Sequence, residues 1–107
     1  MATITTRNKK AVEKFYDLYS DKLLGEYLHY KKEFGFDYCV AQKMYEYGNF
    51  DICDYDLYCT LVKCGVTTKP VKEFEKVLDW GCTYKHRENI RNEYIKLVYN
   101  TIKAKVV

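Results

Sequence analysis

The chain is poor in the residues that interrupt or staple a fold. It has a single proline and five glycines in 107 residues, so little breaks a helix once it has begun. Methionine (two) and tryptophan (one) are also scarce. No apolar run approaches the roughly 18 residues that a membrane span requires, which predicts no transmembrane segment. No stretch alternates apolar and polar residues convincingly, so strands and hairpins are not expected. No Gly-rich phosphate loop and no nucleophile–base signature occurs, which argues against an enzyme. The N-terminus lacks the apolar core of a secretory leader. The five cysteines (Cys39, Cys53, Cys59, Cys64 and Cys82) are an odd number. Together these predict free thiols in a reducing cytosol, and hence a cytoplasmic protein.

What is present suits a folded domain. Hydrophobic residues make up 48% and charged residues 31%, which places the chain outside the disordered class. A chain of this length forms one domain and can bury a core without metals or disulfides. Fifteen lysines stand against three arginines, alongside twelve tyrosines. That usage hints at an AT-rich genome, such as that of a low-GC bacterium or one of its phages.

The net charge is only +3, but it is unevenly spread. Residues 1–14 carry Arg7, Lys9, Lys10 and Lys14 against Glu13. Residues 46–58 carry Glu46, Asp51, Asp54 and Asp56 unopposed. Residues 85–107 carry six bases against Glu88 and Glu93. Basic ends and an acidic middle predict that the segments complement one another, within the fold or across a homodimer.

Apolar periodicity predicts an all-α domain of five helices. The first opens after Thr5 or Thr6. Its stripe of Val12, Tyr16, Tyr19, Leu23, Tyr27, Tyr30 and Phe34 persists for about six turns, widened by Ala11, Phe15 and Leu18. Gly25 is the expected point of weakness, and Gly35 the expected end. The second runs from Asp37, as cap, to Tyr47, with Val40, Met44 and Tyr47 on one face, before a Gly48-Asn49 turn. The third starts at Asp51 or Asp54 and carries Leu57, Leu61 and Val62 to Gly65. The fourth begins near Thr68, with Pro70 in its first turn and Val71, Phe74, Val77 and Leu78 inward, and Gly81 closes it. The fifth covers about Lys85 to Lys105, with Ile90, Tyr94, Leu97, Val98 and Thr101 or Ile102 as its stripe.

Within residues 54–80, Gly65 opens a turn, Val66 follows it, Thr67 can cap the next helix, and Val71 takes the next core position. Over about twenty residues this resembles a helix-turn-helix. One departure is Leu61, which stands four residues before the glycine, where the pattern favours a small side chain. The resemblance implies a DNA-binding regulator. Thr67, Thr68, Lys69, Lys72 and Lys76 would face duplex DNA, and Lys85, Arg87 and Arg91 would reach phosphates. A half-site reader of this kind is usually a homodimer, and either long helix could supply the interface.

A second class of reading rests on tyrosine. Twelve tyrosines exceed what a small core hides, and exposed tyrosines anchor protein interfaces. Tyr55 and Tyr58, with the acidic Glu46, Asp51, Asp54 and Asp56, would then meet a protein partner. The chain would be an inhibitor or adaptor of phage or mobile-element type that acts on a nucleic-acid-handling complex. The tyrosines of helix one could alternatively stack unpaired bases, but they read more simply as the core seam of a long helix. Cys59, Cys64, Cys82 and His86 could converge on zinc; buried free cysteine is the simpler reading, and no metal or other cofactor is expected. His29 reads as a surface or packing residue.

Overall fold

The computed structural model describes residues 6–34, 37–47, 50, 53–77 and 84–106. Five helices follow in order: α1 (Thr6–Phe34), α2 (Tyr38–Tyr47), α3 (Asp54–Lys63), α4 (Lys69–Val77) and α5 (Tyr84–Lys105). The fold is all-α, as the periodicity predicts. Among the described residues there is no strand, and no helix is long and apolar enough to cross a membrane.

α5 is the axis of the bundle and lies against all four other helices. A helix surrounded in this way needs an apolar face wider than one stripe. Accordingly Ile90, Tyr94, Ile95, Leu97, Val98, Thr101 and Ile102 are all buried. The sequence left Thr101 and Ile102 as alternatives; both lie inside. Thr101 is tolerated there because its hydroxyl donates to the Leu97 carbonyl at 2.7 Å, which satisfies a polar group in the core. The Cα radius of gyration, 13.5 Å, matches the roughly 13 Å expected of one folded domain of this length.

α1 packs on α5 and α2. Ala11, Val12, Phe15, Leu23 and Tyr27 are buried, while Tyr16, Tyr19 and Tyr30 lie half-buried against the core. The tyrosine stripe is thus part of the core seam. The helix breaks at Tyr19 (φ −131°, ψ 23°) and not at the expected Gly25. At the break an aromatic cluster forms: Phe15 and Tyr19 lie 5.0 Å apart, the Phe50 ring sits 5.7 Å from Tyr19, and Lys22 Nζ lies 4.9 Å from the Phe50 centroid. Leu18, expected in the stripe, is instead exposed, as are Leu24 and Leu28. The side chain of Phe34 and the expected stops at Gly35 and Gly81 lie outside the described residues, as does the turn at Gly48-Asn49.

Asp37 caps α2 as expected, its Oδ1 accepting the Val40 amide at 3.0 Å. Val40, Ala41 and Met44 are buried, whereas Tyr47, expected beside them, points to solvent. In α3, Leu57 and Leu61 are buried and Val62 is not. One hundred degrees per residue turns Val62 off the face that Leu57 and Leu61 share.

Candidate nucleic-acid interface

α3 starts at Asp54, with Asp54 and Asp56 in its first turn, where carboxylates favour the positive end of the helix dipole. It ends in a Schellman motif. The Gly65 amide donates to Val62 O and the Val66 amide to Leu61 O, both at 2.9 Å. The geometry requires a left-handed residue, and Gly65 adopts φ +85°. The chain then crosses residues 66–68 into α4, where the Lys72 amide bonds Thr68 O at 3.1 Å. Pro70 sits in the first turn of α4, where its missing amide hydrogen leaves no bond unmade.

Val71 and Phe74 anchor α4 to the core. Both α3 and α4 lie mainly on α5 and touch each other less. Leu61 is fully buried, so the position where a helix-turn-helix prefers a small residue is filled by a core side chain.

The opposite face of α4 carries Lys69, Lys72 and Lys76, all exposed. Spacings of three and four put them on one side. Lys69 Nζ stands 3.7 Å from Glu73, an exposed i,i+4 pair that holds the lysine only weakly. Among the described residues no carboxylate pairs with Lys72 or Lys76. Thr67 is exposed beside this face, while Thr68 is half-buried with its hydroxyl oxygen enclosed.

Arg87 and Arg91, expected to extend the basic face, are engaged elsewhere. Arg91 grips Asp54 with both ends of its guanidinium, Nε to Oδ1 at 2.9 Å and Nη2 to Oδ2 at 3.3 Å. Arg87 Nε approaches the same carboxylate at 3.7 Å. The bond to Asp54 pushes the Arg91 pKa above its ordinary value, as a charge-assisted pair of this geometry should. Two residues expected to face DNA therefore converge on one expected to face a protein, tying the start of α3 to α5 and leaving a net charge of +1 on the cluster. Lys85 remains exposed at the start of α5.

Of the other acidic candidates, Glu46 and Asp56 are exposed, and Asp51 lies outside the described residues. Tyr55 is 59% exposed. Tyr58 is half-buried, its ring 5.6 Å from Phe74, and burial together with Glu75 pushes its hydroxyl pKa up. Three more exposed rings were not assigned to a surface from sequence, Tyr38 (37%), Tyr47 (68%) and Tyr84 (75%). Periodicity alone assigned Tyr47 inward and left Tyr84 unplaced.

Cys39, Cys53 and Cys59 are exposed free thiols, and Cys64 is buried. Five residues at 100° each set Cys59 and Cys64 about 140° apart around the helix axis, so they do not face a common point. Cys82 lies outside the described residues, and among those described no three potential ligands come together. His29 is exposed, edge-on to Tyr30 at 4.9 Å.

A cleft that the sequence did not point to opens between α1, the 66–68 turn and α5. Ala11, Val12, Val66, Thr68, Glu93, Lys96, Leu97 and Asn100 line it, and it encloses about 220 Å³. No known protein family, no curated protein and no solved structure matches the chain.

Proposed function

We propose that the protein works by binding rather than by catalysis, and that it binds duplex DNA as a small regulator. The contact surface is α4 with the residue before its cap: Thr67, Lys69, Lys72 and Lys76. The observation that carries this reading is the lysine face, three exposed ammonium groups on one side of a short helix that follows a glycine turn. α4 carries no arginine, the side chain best suited to guanine, so the lysines and Thr67 favour phosphate contact over a stringent sequence code. Arg87 and Arg91 contribute only if their hold on Asp54 is released.

Fluorescence anisotropy with labelled duplex tests this across a salt series. If three lysines each neutralise one phosphate, log K falls against log salt with a slope of about −2.7, or about 40-fold between 50 and 200 mM. Lys69→Glu, Lys72→Glu and Lys76→Glu together should abolish binding. A triple variant that binds as the parent does, or no binding by the parent at low salt, rules the reading out.

A second reading has its own support. Tyr47, Tyr55 and Tyr84 are each more than half exposed, and tyrosine is a typical interface anchor. With Glu46 and Asp56 they suit a protein partner, including a component of a nucleic-acid-handling complex, or a second copy of this chain. Such binding would survive salt, would be lost on Tyr47→Ala, Tyr55→Ala and Tyr84→Ala, and would ignore the lysine reversals. Light scattering with the same tyrosine variants separates a homodimer from a foreign partner.

A further inference from the structure

We propose that the cleft between α1, the 66–68 turn and α5 binds a small zwitterion with an apolar body, that is, a free apolar α-amino acid. Its walls divide by chemistry. Ala11, Val12, Val66 and Leu97 give an apolar floor, while Glu93, Lys96, Asn100 and Thr68 supply both charges, an amide and a hydroxyl.

The polar groups are under-used. The Glu93 side chain is only 12% exposed, yet its ion pair with Lys96 is 3.5 Å long, at the outer limit of a hydrogen bond. A carboxylate so nearly buried gains from a closer cation. An ammonium group in the cleft supplies one, and Lys96, whose side chain is 58% exposed, is then free to turn its charge toward the ligand's carboxylate. Thr68 Oγ1 is buried without a hydrogen-bond partner, which leaves a desolvated polar group unsatisfied. Thr68 is part of the cleft lining, and its hydroxyl is a donor that the ligand's carboxylate can engage. Asn100 offers an amide donor on the α5 side.

Size narrows the class. The cleft's 220 Å³ falls below the roughly 300–1,000 Å³ of pockets that take drug-sized ligands, which suits a ligand the size of an amino acid. A ligand held there bridges α1 and α5 to the turn that leads into α4. Binding at this cleft stands whether or not α4 meets DNA.

The test is a thermal-shift and NMR titration of the full chain with L-valine, L-leucine, L-isoleucine, L-methionine and L-phenylalanine. For the best of them, the matching amine and the matching acid serve as controls; for leucine these are isoamylamine and isocaproate. At least one amino acid should raise the melting temperature at about 10 mM and move the amide signals of Val66, Thr68 and Leu97, while its two half-analogues do neither. Glu93→Gln should weaken binding tenfold or more. Lys96→Met, at an exposed position, should do the same without threatening the fold. The proposal is overturned if no amino acid stabilises the protein, if an amine or an acid alone binds as well, or if both variants bind like the parent.

Discussion

Two glycine-to-alanine substitutions should move stability in opposite directions. Gly65 and Gly25 are alike in one respect: a Cβ added to either meets nothing within 4 Å. They differ in backbone. Gly65 holds φ +85° in the Schellman turn, whereas Gly25 lies inside α1. At Gly65 an alanine takes on about 1–2 kcal/mol of left-handed strain, partly offset by about 0.4–1 kcal/mol from a stiffer unfolded chain, for a net loss of about 1 kcal/mol. At Gly25 only the favourable terms act, and alanine should gain about 0.5–1 kcal/mol. At about 2.1 cal/mol/K of unfolding entropy per residue, a 107-residue chain shifts its Tm by roughly 4–5 °C per kcal/mol. Gly65→Ala should therefore melt about 4 °C below the parent and Gly25→Ala about 3 °C above it. Thermal melts and urea titrations followed by far-UV circular dichroism measure both, and Gly65→Asn should lose less than Gly65→Ala because asparagine tolerates the left-handed region. A Gly65→Ala variant as stable as the parent, or a Gly25→Ala variant less stable, would refute the assignment of these two backbones.

Leu61→Ala, which restores the small residue typical of a helix-turn-helix, should destabilise the protein by about 2–5 kcal/mol in urea titrations, because Leu61 is a fully buried core side chain. Asp54→Ala should cost only about 1 kcal/mol, since both arginines are about half exposed, but it should strengthen DNA binding and steepen the salt slope by releasing Arg87 and Arg91. Unchanged anisotropy would show that the two arginines lie off the DNA surface. Because burial and Glu75 raise the Tyr58 pKa in the folded state, the unfolded chain releases that proton first. Stability from this group is complete below about pH 10 and is lost as pH rises through the folded value. The stability difference between parent and Tyr58→Phe should therefore shrink or reverse between about pH 9 and 11, and a constant difference would contradict the shift.

Sequence alone determined the elements. Period-3.6 apolar spacing, the Asp37 cap, the Gly65 turn and the stripe of α5 each act within a few residues, and each appears where the spacing placed it. Tertiary structure decided what those elements face. α5 is buried over a wide arc because four helices surround it, which no one-dimensional stripe discloses. Tyr47 lies exposed although its spacing from Val40 and Met44 fitted an inward position. The basic and acidic segments were legible as a charge imbalance. That Asp54 meets both Arg87 and Arg91 depends on α3 crossing α5, a pairing across 37 residues for Arg91. The cleft depends on the same kind of long-range assembly, since Ala11, Thr68 and Glu93 come from three separate elements. Helix formation answers to hydrogen bonds four residues apart, whereas a binding surface is made by side chains that only packing brings together.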